Sequence, residues 1–414
     1  MEVKEGYKQT DMGLIPLEWD VKEFEEVMDG FSSGQTPYRA IANYYKGDIP
    51  WVTSGELNYN VITETVEKIS IEGVRAANLK MIPKGTFLFA ITGLEAAGTR
   101  GSCAITGIEV TTNQSCMALY PKKNLLIIPY LYHYYVKFGN ELAFEYCQGT
   151  KQQSYTGAIA KKLPIIVPPS IEEQTAIATA LSDADALITS LEKLVEKKRA
   201  IKQGAMQKLL KSKEGWVTKT LGEIGVLKNG INKASEDFGF GYPFVNLLDV
   251  FGETKISTNE YLGLINSNVS ERKMYNLIKG DVLFIRSSVK PEGVGLTCVI
   301  DRDLENTGFS GFIIRFRDFG ILSDEFKEYC FYSYDFRNSL IASSSVSANT
   351  NINQESLKKL SICYPESKSE QTHIASIISD MDTEITIMAQ KLVKCKMLKQ
   401  GMMQELLTGK TRLV

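Results

Sequence analysis

The chain lacks most of what an independent enzyme needs. Among its 414 residues only two are histidine, His133 and His373, and neither has a matching base, nucleophile or metal partner in a motif. The seven cysteines stand singly with no Cys-x-x-Cys pair, which excludes a zinc module and fits free thiols in a reducing compartment. No Gly-x-Gly-x-x-Gly follows a strand-like run, and no Asn-Pro-Pro-Tyr segment, of the kind that holds an exocyclic amine for methylation, is present. Gly409-Lys410-Thr411 resembles the end of a phosphate loop. However, Gln404 stands where the earlier glycine must be, so the segment reads as a polar helix end. An excess of positive charge is missing as well: the net charge is −2. That disfavours a simple backbone-clamping nucleic-acid binder and leaves any polyanion contact to a local face. No apolar run approaches a membrane span, and Met-Glu-Val-Lys-Glu does not open a signal peptide, so a cytoplasmic chain without membrane contact is expected.

What is present is a repeat. Glu173-Gln174-Thr175-Ala176-Ile177-Ala178 runs on to Ile201-Lys202-Gln203-Gly204 and Leu209-Leu210. Glu370-Gln371-Thr372-His373-Ile374-Ala375 runs on to Leu398-Lys399-Gln400-Gly401 and Leu406-Leu407. The offset is constant, since 370 − 173 and 406 − 209 both equal 197, and a fixed long period marks a duplicated unit. The duplication extends outside these segments. Trp19-Asp20-Val21-Lys22 matches Trp216-Val217-Thr218-Lys219. Residues 48–52 match 241–245, 84–89 match 279–284, and 163–168 match 360–365. A chain of this length needs more than one core. The expected order is a lead-in over 1–18, a domain over 19–167, a long helix over 168–213, a second domain over 214–364 and a second long helix over 365–414.

Each domain reads as mixed α/β. Short β-branched and aromatic runs at 86–91, 282–285 and 311–316 are bounded by Gly, Asn and Asp, the strand signal, and helical patterns follow at 129–144 and 323–341. Prolines 168, 169 and 365 precede the long helices. Ile177, Ala184 and Leu191 in the first, and Ile374, Ile378, Met381, Ile385, Met388 and Leu392 in the second, recur at heptad steps. Such stripes bury a seam against a partner helix, and equivalence of the two units makes the pair antiparallel. The fold class expected is α+β, two mixed α/β domains in tandem pseudo-repeat separated by two long antiparallel coiled-coil helices. Roughly 40 residues at about 1.5 Å each give a rod of about 60 Å. The segment 1–18 falls where the residues after the first helix fall in the next unit, so it should lie near the C-terminus and close the repeat into a pseudo-ring.

Polar loops at equivalent positions differ between the halves. In the first domain they hold Gln35, Thr36, Tyr38 and Arg39; Ser54 and Glu56; Thr92, Glu95, Thr99 and Arg100; and Lys151, Gln152, Gln153, Ser154 and Tyr155. In the second they hold Asn232 and Lys233; Asn246 and Asp249; Arg286, Ser287, Ser288 and Lys290; and Asn349, Asn351 and Asn353. Side chains of these types read base edges and hydrogen-bond phosphates, although Asn, Ser and Gly are common in ordinary loops too. Asp183/Asp185 and Asp380/Asp382 recur in both helices. At i, i+2 they point to different sides, which suits a solvated or partner-facing edge better than a shared metal or proton.

The chain resembles a specificity subunit of a type I restriction–modification system. The features that carry the resemblance are Trp19-Asp20-Val21-Lys22 after Gly6-Tyr7-Lys8-Gln9-Thr10, the Leu163-Pro164-Ile165 to Pro168-Pro169 segment before Glu173-Gln174, and the Lys-Gln-Gly endings of both helices. The resemblance implies two target-recognition domains, each reading half of a split, asymmetric site on double-stranded DNA, with the helical pair as a ruler. It also implies no catalytic activity and no cofactor in this chain. Two modification subunits would bring S-adenosylmethionine and methylate adenine, and restriction subunits would bring ATP- and Mg-dependent translocation and cleavage. Two alternatives stand beside it: a protein–protein scaffold whose loops bind peptide or carbohydrate, and the specificity subunit of a related fused nuclease–methyltransferase system.

Overall fold

The computed structural model describes residues 5–96, 98–149 and 153–413, and the chain divides into two compact units. The first comprises residues 1–191 and 391–414, the second residues 192–390. Each contains one α/β domain and parts of two 39-residue helices, Ile171–Leu209 and Lys368–Leu406.

The first domain is built on a five-stranded sheet in the order Met28–Ser33, Cys116–Pro121, Phe87–Ala90, Cys103–Thr106, Asn60–Ile62. All neighbours are antiparallel except the last pair. A smaller sheet places Ile49–Val52 between Thr111–Thr112 and Glu67–Ile69, and Asp20–Glu23 pairs antiparallel with Pro164–Val167. Phe87, Leu88, Phe89 and Ala90 are all buried, as expected of a central strand covered on both faces. Helix Ile128–Tyr146, started by a proline in its first turn, covers the sheet with Tyr135, whose ring meets Phe89 at 5.2 Å. The N-terminal segment is more than a lead-in. Tyr7–Thr10 and Gly13–Pro16 form a hairpin, and Ile15 is fully buried in the first core.

The second domain repeats this plan and adds a short three-stranded sheet of Ser287–Ser288, Thr350–Asn351 and Ser345–Val346. Its larger sheet has the order Gly225–Asn229, Ile313–Asp318, Val282–Ile285, Thr297–Ile300, Lys255–Ile256, again parallel only at the last pair. Phe238–Val245 lies between Gly263–Ile265 and Gly308–Phe309, and Val217–Thr220 pairs with Ser361–Tyr364. Two local expectations change. The strand read at 311–316 starts at Ile313, since the Gly311 amide is bonded to the Ile231 carbonyl outside the ladder, and a Cβ on Gly311 would sit 1.9 Å from Asn232 Oδ1. The helix read over 323–341 is broken into Asp324–Lys327, a 3-10 turn Cys330–Tyr332 and Tyr334–Ala342. Ser333 adopts extended backbone at the break, and the interruption lets Phe331 and Phe336 both reach Phe284, at 5.0 and 6.3 Å.

Within each unit the helices are antiparallel. In the first, Lys399 bonds Asp185, while Met403, Leu406 and Leu407 join Ile177, Ala178 and Leu181 in one core. In the second, Lys198 meets Glu384 at 2.6 Å and Lys202 meets Asp382, so one number rises as the other falls. Ile374, Ala375 and Ile378 share a core with Leu210. The heptad stripe therefore buries apolar side chains along the seam while lysines close its polar edge.

Candidate nucleic-acid interface

Repeated side-chain bonds fix each long helix to its domain. In the first unit the Ile127 amide donates to Gln174 Oε1 at 3.1 Å, and Gln174 Nε2 donates to the Leu125 and Pro168 carbonyls. In the second the Ser323 amide donates to Gln371 Oε1 at 2.7 Å, and Gln371 Nε2 donates to the Ile321 and Pro365 carbonyls. Both glutamines are buried, and each satisfies backbone groups that a buried loop would otherwise leave unpaired. Trp19 donates to Glu173 and Trp216 donates to Glu370, at 3.2 and 3.1 Å. Lys399–Asp185 and Lys202–Asp382 complete the set. The tryptophans, glutamates, glutamines, aspartates and lysines all obey the 197-residue offset, and the backbone groups that the glutamines bond follow it to within one residue. These bonds are therefore common to both units, whereas most of the differences lie in the loops that the frame carries.

The loops at the strand ends sort into structural and available residues. Thr53 and Asn246 open equivalent turns as reciprocal capping boxes: the Thr53 amide donates to Glu56 at 2.8 Å and the Asn246 amide to Asp249 at 2.7 Å. Glu56, Asp249 and Asn246 are thus engaged by their own backbone. Asn353 caps helix Gln354–Lys359 by accepting from the Ser356 amide. Glu95 accepts from the Gln153 amide, and Arg100 donates to the Leu94 and Glu95 carbonyls, so both brace their loop. Ser154 bridges Thr92, and Ser287 pairs with Asn351 at the matching place. Tyr155 is a correction: it is only 3% exposed and its ring lies 6.2 Å from Phe89, so it belongs to the core and offers nothing to a ligand. Lys151 and Gln152 lie outside the described residues.

Several positions stay open. Tyr38 is 72% exposed, next to Arg39, whose guanidinium pairs with Glu67 at 2.7 Å and covers the Tyr45 ring at 4.5 Å. Gln35 is exposed, and the Thr36 hydroxyl donates to Gln114, a glutamine that sequence reasoning passed over. Ser54 and Thr99 are half-buried. In the second domain Asn232, Lys290 and Asn349 are exposed. Ser288 accepts from the Lys290 amide, Lys233 is held by Glu271, and Arg286 donates to the Gly311 carbonyl. Also missed was the apolar company these residues keep, Leu248, Phe251 and Phe312. Hydrophobic letters in a sequence read as core until their exposure is known.

Asp185 and Asp382, read as a partner-facing edge, are taken by Lys399 and Lys202 within their own units, whereas Asp183 and Asp380 are exposed. The i, i+2 spacing separates the two roles. Among the described residues there is no group of His, Cys, Asp and Glu side chains fit to hold a metal, and no helix is long and apolar enough to cross a membrane.

The family model for the type I restriction modification DNA specificity domain matches the chain twice, over residues 16–203 and 213–397. The chain belongs to that family. It is 29% identical over 296 residues to the type I restriction enzyme MjaIX specificity subunit of Methanocaldococcus jannaschii, an alignment covering 65% of this chain and 67% of that one. Two solved structures share the fold over nearly the whole length. The S subunit of the type I restriction–modification system from M. genitalium gives a TM-score of 0.56 at 15% identity, covering 98% of both chains. A chain solved in work on complex assembly and conformational transition of the type I R-M system gives 0.59 at 16% identity, covering 96% of this chain and 99% of that one.

Within this family frame one repeated position differs in a way that pH can read. His133, set aside in the sequence as incidental, is buried in the first unit, with Nε2 2.9 Å from Ser182 Oγ and Nδ1 4.0 Å from Asp185. At the matching place in the second unit Tyr329 donates to Asp382 at 3.3 Å. Burial pushes the His133 imidazole from 6.5 down to about 4; Asp185 opposes that shift and Lys399 adds to it. The folded pKa is below the unfolded one, so this contribution to stability is complete above pH 6.5 and is lost as pH falls toward 4. About 3 kcal/mol should disappear over that window at this site. Replacing His133→Tyr, which copies the second unit, should flatten the pH dependence of first-unit unfolding between pH 6.5 and 4, measured by urea titration at each pH. An unchanged pH profile would remove His133 as its source.

Proposed function

We propose that each domain reads one half of a split, asymmetric site on double-stranded DNA, and that the two long helices set the separation between the halves. In this reading the chain catalyses nothing. It supplies sequence specificity to two copies of a modification subunit, which methylate adenine with S-adenosylmethionine, and to restriction subunits, which use ATP and Mg to translocate and cut. The assembly works in the cytoplasm. Family membership speaks for a DNA-recognition subunit and against a peptide- or carbohydrate-binding scaffold.

The observation that carries the reading is the contrast between frame and loops. Glutamine pegs, tryptophan–glutamate bonds and lysine–aspartate pairs repeat at one offset, which suits docking of identical partners on both units. Asp183 and Asp380, exposed at equivalent positions, are among the side chains that this repeated surface offers a partner. The strand-end loops carry different residues on the same frame, which suits different half-sites. Partner subunits would add phosphate contacts that a chain of net charge −2 does not supply alone.

Single-molecule methylation profiling of the host genome, with and without the gene, tests this directly. The expected outcome is a two-part motif with modified adenines in both halves, present only with the gene. A motif that persists without the gene, or one with a single uninterrupted recognition block, would refute the proposal.

A further inference from the structure

We propose that the second domain reads thymine methyl groups in the major groove through an apolar cleft at positions where the first domain is largely polar, a deepening that rests on the DNA-recognition reading above. The cleft has a volume of about 660 Å³ and sits at the strand-end loops of the larger sheet. Leu247, Leu248 and Phe251 come from the turn that Asn246 and Asp249 cap. The equivalent turn, capped by Thr53 and Glu56, carries Ser54, Gly55 and Asn58 at those places. Leu296 and Phe312 immediately precede strands Thr297–Ile300 and Ile313–Asp318, and the residues preceding their counterparts are Ser102 and Ser115. Val289 stands two residues after Ser287, as Leu94 stands two after Thr92, yet Val289 is 81% exposed and Leu94 is fully buried. The flanking strands correspond, whereas the chemistry at their ends does not.

Leaving Leu248 83% exposed in a free surface is costly unless a ligand covers it. A partner subunit that docks alike on both units would require the same apolar surface in both, and the first domain has serine and asparagine instead. A half-site ligand carries no such requirement. The rim carries Lys290 and Glu292 together with Ser288 and Asn349, so it offers one cation for phosphate, one carboxylate that can accept from a base amine, and hydrogen bonds for base edges. Among the four bases only thymine presents an apolar group, its C5 methyl, in the major groove. The cleft is much larger than one methyl group, so it would face the edges of consecutive base pairs.

The test uses the chain assembled with its modification subunits and duplexes carrying its mapped site. Thymines are replaced by deoxyuridine, which removes only the methyl, in one half-site at a time. In one half, each contacted methyl should be worth about fourfold in affinity. In the variant Leu248→Ser with Val289→Ser, both surface positions, that thymine-to-uracil ratio should fall to about one, with the other half-site unaffected. A Val289→Ala variant should give an intermediate ratio. Site-specific binding with a ratio of one in both halves overturns the inference and leaves the DNA-recognition reading intact. So does a ratio that the variant does not alter, or a variant that weakens only subunit assembly. Absence of any site-specific binding by the unaltered complex overturns the underlying reading and this inference with it.

Discussion

Removing one turn from each long helix at equivalent places, residues 189–192 and 386–389, is expected to shorten the spacer between the two DNA half-sites by at most about two base pairs. Four residues shorten a helix by about 6 Å, and base pairs stack at about 3.4 Å. Two is the upper limit because helix and DNA axes need not be parallel. The cuts are placed so that each unit keeps its own clasp: Asp185 with Lys399 in the first, Lys198 with Glu384 and Lys202 with Asp382 in the second. Cutting one helix alone would leave its partner a turn too long. Four residues turn a helix about 40° beyond one revolution, so the apolar seam is rotated, whereas seven residues come within about 20° of two revolutions. A seven-residue cut in both helices is therefore the second variant, with a shift of at most about three base pairs. Methylation mapping of hosts carrying each variant gives the spacer directly. Identical half-sites at an unchanged spacing in both variants would remove the helices as the ruler.

The sequence made some layers of this molecule readable and hid others for physical reasons. The duplication was legible because packing across a repeated frame tolerates little change: Gln174 and Gln371 each bond three backbone groups, and no other side chain has that shape and hydrogen-bonding capacity. The central strands were legible because residues buried on both faces give an unbroken apolar run. The helix over 323–341 was not, since its apolar spacing continues through a break that Ser333 makes locally. In the loops, residue type alone could not separate readers from braces. Glu56 and Asp249 have the chemistry to accept from cytosine, yet the turn geometry gives them backbone amides to hold. Tyr155 sits in a polar run and is nonetheless core. Leu248 and Val289 failed in the opposite direction, for hydrophobic residues in a 43% hydrophobic chain are assumed to be inside.

Arg412→Ala should destabilise the first unit by about 3 kcal/mol, although Arg412 is the third-last residue of the sequence. Its guanidinium forks onto Glu173, with Nη2 2.9 Å from Oε2 and Nε on Oε1, while Nη1 reaches Glu18 at 3.2 Å. Glu173 also accepts from Trp19 and is fully buried. Removing the arginine leaves a buried carboxylate with one neutral donor, which is the costly way to break an ion pair. The cost lies at the low end for a broken buried pair because the Arg412 side chain is 30% exposed and water can enter. The second unit supplies the comparison. Glu370 bonds Trp216 in the same way, but it is exposed, and so Glu370→Gln should cost under about 1 kcal/mol. The latch also joins distant ends of the chain, because the Tyr7 hydroxyl donates to the Gly409 and Lys410 carbonyls. Gly409 itself has a left-handed backbone with Pro16 2.5 Å from where a Cβ would stand. Hydrogen exchange localises the effect: segments 7–20 and 403–413 should lose protection in Arg412→Ala, while 216–224 should not. Adding Glu173→Gln to Arg412→Ala should recover part of the loss, since the buried group is then neutral. Equal loss of protection in both units, or no recovery in the double variant, would mean that the arginine acts by packing on Trp19, 5.8 Å away, and not by neutralising Glu173.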